Sequence, residues 1–577
     1  MKHSLLPILL LFSLLTLVGI NNHQAFGAIY YCSPSGNDNT GNGSLSKPYR
    51  NVERALQDMT AGDELQLRDG NYESDEIRIE LNNITIKSYP GEWAVITAPT
   101  DIEDASSCIW YNEPDVQGGL LENLEIVGGY YYGIKFETNW DWGLGVQYGV
   151  RNITIRNCVI HDTGRDCLKI TPGCDQIHIL NCTIYNSGIG PSNLPQNGGP
   201  NAEGIDNVNG SNMIVRNSYF YNISTNGLYA KGGAKNALIE GNLLMDIGEG
   251  GIFVGFDCDA EWFDTKTNPN YHDCIDCIVR NNMVVNTGGA GLGFWGSQNS
   301  SAYNNTIITK SELYHAPLYF TAASIWVSDT YTATPANNNV KVFNNIFIDQ
   351  SGTGDEDYTA EVRENSLSGN TEISNNIYFK KAGAASFQYN GNWPAYTFNE
   401  WKTLNFETNG YETYPALNAQ YHLSNSSPAI DKGLAVPGST TNDYDGNTRD
   451  NLPDIGADEY GAGVPLPIKP LVKAGTGSNL EVGYGAVYPK TTAENMLKIT
   501  QLADKYVKIN SKHPIKIVHL YNAMGQLVGK VNANNLLEIN LPLKPSANQI
   551  NIQSGQYVVV CNLANGQVIS KKQVLLF

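Results

Sequence analysis

From about residue 150 to 350 the chain repeats one pattern of apolar and polar positions. Apolar residues alternate with others, an asparagine or glycine interrupts, alternation resumes, and a turn follows. The unit reads ITIRNCVIHDTG, IHILNCTIYNSG, MIVRNSYFYNIS, ALIEGNLLMDIG, CIVRNNMVVNTG, SAYNNTIITKSE and VKVFNNIFIDQSG. Asn157 and Asn181 lie 24 positions apart, as do Asn217 and Gly241. A short fixed period marks a solenoid. Alternation by two turns one face of each segment inward, so the segments are strands. No amphipathic helix fits inside a repeat. Asparagine suits a left-handed corner, and its side chain can bond the next one up the stack. The pattern predicts an all-β chain whose main body, residues 28–460, is a right-handed parallel β-helix, with about three short strands per coil.

A second strand precedes each unit: YGIKFE, DCLKIT, EGIDNV, NGLYAK, GGIFVG and AGLGFW. Aligning Ile134, Leu168, Ile205, Leu228, Ile252 and Leu292 as the inward position sends the next residue outward on every coil: Lys135, Lys169, Asp206, Tyr229, Phe253 and Gly293. Two places on, Glu137, Thr171, Val208, Lys231, Gly255 and Trp295 also point outward. Insertions at 138–150, 189–202, 257–276 and near 321–338 flank this strand. Loops that emerge beside one ladder build the walls of a groove.

The ends complete the plan. A short amphipathic helix, Val52 to Met59, is placed to cap the first coil, and 414–460 to close the array. A Pro/Gly linker follows at 461–470. Residues 471–577 read as a small β-sandwich. Residues 1–27 read as a secretory signal peptide: Lys2 and His3, an apolar run, then Ala25 and Gly27 before a cut at Ala28. Export permits disulfides among the ten cysteines. Cys158 and Cys182 recur at one repeat position as stacked interior thiols, free or bonded; Cys258, Cys274 and Cys277 bracket an insertion that they could pin. The net charge of −20 argues against nucleic acid, which needs a basic field, and permits calcium.

Three stretches resemble known families. YYCSPSGNDNTGNGSLSKPYRNVERALQDMTAGDELQLRDGNY is similar to the entry segment of secreted β-helix proteins, including family-nine pectate lyases. SPAIDKG, DYDGNTR and DIGADEY resemble the closing segment of exported bacterial β-helix proteins. The tail, from VYPKTTAENMLKI to SKKQVLL, resembles the sorting domain of type IX secretion substrates. That likeness implies an outer-membrane exporter as partner and a secreted or cell-surface location. The lyase likeness implies calcium-assisted β-elimination of an acidic polysaccharide, with aspartates on neighbouring coils holding Ca²⁺ and a lysine taking the proton.

The residues can be set against that chemistry. Removing a proton alpha to a carboxylate requires neutralising the carboxylate and a base of lowered pKa. Asp166, Glu203 and Asp206 fall at corresponding ends of adjacent coils, within reach of one hard cation. Lys169 or Lys231 is the candidate base, with Arg165 close by. Lys135, Tyr229, Trp142, Trp262 and Trp295 are candidate substrate contacts, the aromatics by stacking on sugar rings. Asp257, Asp259, Glu261 and Asp264 form either a solvated acidic loop or a site for a second Ca²⁺ or a basic sugar. Two other functions remain open: a glycoside hydrolase, which needs paired carboxylates, and a glycan-binding or adhesive solenoid without catalysis. The expected state is a monomer.

Overall fold

A computed structural model describes residues 27–140, 148–197, 200–311, 315–352, 357–435, 442–462, 497–502, 506–522, 527–542, 555–563 and 568–575. Nearly all of the expected signal peptide, most of the linker, and Trp142 lie outside these.

The chain winds into a right-handed parallel β-helix of three sheets. Sheet I has 12 strands, from Ile29–Cys32 to Glu372–Ser374. Sheet II has 11, from Ile77–Arg78 to Phe387–Tyr389, and sheet III has 12, from Gly70–Glu73 to Tyr411–Glu412. Each coil visits them in the order I, III, II, as in Arg151–Arg156, Val159–His161 and Leu168–Ile170. The inward column on sheet II matches the repeat alignment: Ile134, Leu168, Ile205, Leu228, Ile252 and Leu292 are neighbours in register and fully buried.

The corner between sheets I and III explains the repeated asparagine. Asn157, Asn181, Asn217, Asn281 and Asn304 all have φ between 53° and 55°, a left-handed conformation that costs asparagine less than most residues. The residue after this corner points inward. On the lower coils it is Cys158 and Cys182, both free thiols. Above them Asn242, Asn282, Asn305, Asn345 and Asn376 form a buried ladder, each amide donating to the next at 2.9–3.0 Å. The ladder ends on Glu407, which also accepts from Tyr378 at 2.8 Å. Such a ladder satisfies every buried amide only if it is continuous.

Both ends are capped by helices. Val52–Asp58 turns Val52 and Ala55 onto the first coils. At the other end Phe398–Thr403, started by a Thr397/Glu400 capping box, lays Trp401 against Phe387. This corrects the expectation for 414–460, which is a strap rather than the end cap. Leu423, Ala429, Ile455 and Ala457 pack on the outer face of sheet III, against Leu243, Met283, Ile346 and Ile377. Sheet III can take it because that face is apolar on these coils. Asn304 and Asn344 at the corner bond the strap's backbone.

Cys274 and Cys277 form a disulfide, and Cys258 is free. The bond spans two intervening residues and constrains only that turn, so it does not pin the insertion. The C-terminal strands are all antiparallel. Tyr506–Asn522 pairs with Leu497–Leu502, Leu527–Pro542 and Gly555–Leu563, and the last pairs with Val568–Leu575. The described strands there join into one five-stranded sheet.

Candidate functional site

The outer face of sheet II gathers the charged residues. Lys169 pairs in register with Asp206, Asp206 with Tyr229, and Val208 with Lys231. One position before the small residue of each motif, Tyr132, Asp166, Glu203 and Asn226 stack in a second column. The small residue is a stacking requirement: a Cβ on Gly204 would stand 2.4 Å from the Gly227 carbonyl oxygen. Close stacking of coils brings the flanking acids together.

Asp166, Glu203 and Asp206 each offer a carboxylate oxygen within 4.8 Å of the others, and all three are buried. Glu203 N donates to Asp166 Oδ1 at 3.1 Å. Glu203 Oε1 accepts from Thr225 Oγ1 at 3.0 Å and Asn226 Nδ2 at 3.3 Å. Lys169 Nζ is ion-paired with Asp206 Oδ2. Asp206 Oδ1 is buried without a hydrogen bond. The Lys231 ammonium lies 4.3 Å from the Tyr229 ring centroid and 5.6 Å from that of Phe256. Among the described residues no hydrogen bond or salt bridge holds it.

The three acids are driven apart electrostatically. Burial, then the charges of Glu203 and Asp206, push Asp166 well above the usual carboxylate range. Glu203 is raised by burial and by Asp206. Burial also opposes ionisation of Asp206, but Lys169 and Lys231 override it and hold that carboxyl below its usual value. Lys169 is the mirror case: burial opposes its charge, yet Asp206, Tyr132 and Asp166 raise its pKa. Tyr132 is pushed up to about 12 by burial, against the opposing pull of Lys169.

The insertions form walls. The Trp140 and Trp262 rings meet with centroids 4.4 Å apart and planes tilted by 39°, and Trp140 Nε1 donates to Glu261 O at 3.0 Å. These two loops leave coils four turns apart and meet across the short turns between them. Asp257 Oδ1 accepts from Ser324 N at 2.7 Å, joining the insertion near 321–338. On the other edge Ser192 Oγ donates to Tyr130 O at 2.6 Å, seating the 189–202 loop.

Several expected residues take other roles. Tyr229 and Trp295 are 1% and 6% exposed. They belong to a packed cluster with Phe253, Phe256 and Tyr319, so neither offers an open ring to a sugar. Lys135 is held by Glu137 at 2.8 Å and by the Trp110 face. Arg165 sits at the rim: its Nε donates to Asn201 O at 3.0 Å. The Asn201 amide, turned so that its nitrogen donates to Glu203 Oε2 at 2.8 Å, links Arg165 to the acids. Asp264 caps its own turn through Thr267. Tyr132 and Asn201 were not singled out from sequence. Tyr132 could have been, since it occupies the column of Asp166 and Glu203 in the same repeat alignment.

The donor set suits a hard cation: three convergent carboxylates, one with an orphaned buried oxygen. No family model matches the sequence, and no curated protein does. Among solved structures the chain is similar to pectate lyase Pel9A, at 16% identity over 75% of this chain and 96% of that one, TM-score 0.41. It is similar to a rhamnogalacturonan lyase at 14% identity over 60% and 87%, TM-score 0.41. It is also similar to XylC in complex with xylose at 12% identity over 94% and 100%, TM-score 0.42. These likenesses concern the fold.

Proposed function

We propose that the protein cleaves a uronate-containing polysaccharide by β-elimination in the groove over sheet II. The observation that carries this is the meeting of Lys169 and Lys231 with three buried carboxylates at one place on that sheet. Elimination needs a base at the carbon alpha to the uronate carboxylate, a cation beside that carboxylate to neutralise it, and a proton for the leaving oxygen.

Lys169 is fixed as a cation by Asp206, so its role is to attract and neutralise the substrate carboxylate rather than to take a proton. Lys231 is the base: it has no ion-pair partner among the described residues and rests on the faces of Tyr229 and Phe256. Tyr132, protonated throughout the neutral range, gives its proton to the glycosidic oxygen as that bond breaks. Asp166, Glu203 and Asp206 would hold a calcium ion, which supplies further charge neutralisation of the substrate carboxylate. Trp140 and Trp262 border the sugar path.

A second reading has its own support. Asp166 keeps its proton while Asp206 gives its proton up, the division of labour between general acid and ionised partner in glycoside hydrolysis. Incubation with a panel of uronate polysaccharides, with and without chelator, separates the two. Ultraviolet absorbance of an unsaturated uronate product supports elimination. New reducing ends without that absorbance support hydrolysis, and neither signal with retained glycan binding leaves a binding solenoid.

A further inference from the structure

The strap over sheet III holds a second convergence of ligating groups, remote from the groove residues in sequence and on a different sheet. His422, Asp445 and Asp458 come from three separated stretches, and each offers an atom within 4.8 Å of the others. All three are buried. His422 Nε2 is 2.8 Å from Asp445 Oδ2, and Asp458 Oδ2 accepts from Leu423 N at 2.8 Å. His422 Nδ1 is buried with no hydrogen-bond partner, which is rare for an imidazole only 1% exposed. The charge balance is also incomplete. The buried charged side chains of the strap are five carboxylates against Arg449 and His422. Arg449 is committed to Glu459 at 3.1 Å and to the carbonyls of Gly456 and Ala457. Each of these carboxylates accepts hydrogen bonds, and a cation among them would offset their excess of negative charge.

We infer that His422, Asp445 and Asp458 bind one divalent ion of the zinc class, which fastens the strap to itself where it crosses sheet III. An imidazole nitrogen among the donors favours zinc, nickel or copper over calcium or magnesium, which take oxygen. Asp443 is not a ligand here. Its Oδ1 accepts from Asp445 N and Asn447 N, and its Oδ2 from Glu459 N, so DYDGNTR builds a turn that presents Asp445.

The test uses the protein after dialysis against chelator, titrated with Co²⁺ and Zn²⁺. The groove acids are a separate potential sink, so His422→Gln, Asp458→Asn and Glu203→Gln are measured alongside. Wild type and Glu203→Gln are expected to show a Co²⁺ ligand-field spectrum displaced by Zn²⁺. His422→Gln and Asp458→Asn are expected to lose that spectrum and one bound equivalent. If the strap variants bind as wild type does, or wild type shows no such spectrum, the inference is overturned. Should the variants fail to fold, zinc anomalous scattering from wild-type crystals decides: a peak among the three residues supports the site, and its absence overturns it.

Discussion

Lys169 Nζ and Asp206 Oδ2 are ion-paired between neighbouring coils of sheet II, at positions that are direct partners in register. The pair fixes which carboxyl of the trio is ionised and which amine is unavailable as a base. Asp206→Asn should cost about 2 kcal/mol, the buried-pair loss discounted because the Lys169 side chain is 18% exposed. Asp206 has a lowered pKa, so its contribution is present above the ordinary carboxylate value and lost as pH falls through its native one. Urea midpoints should therefore converge for wild type and variant only as pH falls below the ordinary carboxylate value and through the native one, and a constant gap would refute the pairing.

Asp166 has the opposite sign. Its native pKa is raised, so the folded state binds a proton that the unfolded state releases, and stability declines as pH rises above the unfolded value of about 4. Asp166→Asn mimics the protonated acid and removes that decline. Its melting temperature should exceed that of wild type by a few degrees (about 3 °C) at neutral pH, with the gain vanishing near pH 4. A lower melting temperature at neutral pH would contradict the raised pKa.

Lys231→Gln should lower the elimination rate by on the order of 10²–10⁴, the usual worth of a general base. Lys169→Gln should raise KM more than it lowers kcat, because it removes a charge that greets the substrate. Steady-state kinetics with the ultraviolet product signal would reverse the assignment if the two variants exchanged behaviours.

Trp140→Ala removes the ring contact with Trp262 and the bond to Glu261, opening the wall where two insertions meet. KM should rise several-fold, on the order of 1 kcal/mol for one aromatic contact, with kcat little changed. An unaltered KM for long substrates would place the sugar path elsewhere.

Asn305→Leu breaks the interior ladder. It removes the partner of the Asn282 backbone N–H and side-chain amide, and one donor each from the carbonyls of Val279 and Tyr303. A loss of about 3 kcal/mol is expected, read as a lower denaturant midpoint. Asn305→Ser, which keeps a donor and an acceptor as the Ser218 hydroxyl does three positions lower in the same column, should lose less.

The repeat made the solenoid legible. Period-two alternation fixes which side chains enter the core, and a glycine or cysteine before the inward residue fixes how closely coils stack. The register read at Leu168, Ile205 and Leu228 is the register of sheet II. Because the strands are parallel and in register, sequence alignment of the repeats is also spatial alignment, so Asp166, Glu203, Asp206, Lys169 and Lys231 could be placed together before any coordinates. What the repeat cannot encode is contact between segments that do not repeat. The meeting of Trp140 with Trp262 spans four coils, and the burial of Tyr229 and Trp295 depends on Phe256, just ahead of an insertion, packing against both. The strap's place on sheet III was equally hidden: its partners Leu243, Met283 and Ile346 look like ordinary outward strand residues until a distant stretch covers them. The sequence by itself determined the coil, its register and the column of charges, because these follow from local periodicity. Only the tertiary structure decided which of those charges are paired, which aromatics are packed away, and where the irregular segments lie, because these rest on long-range packing and desolvation.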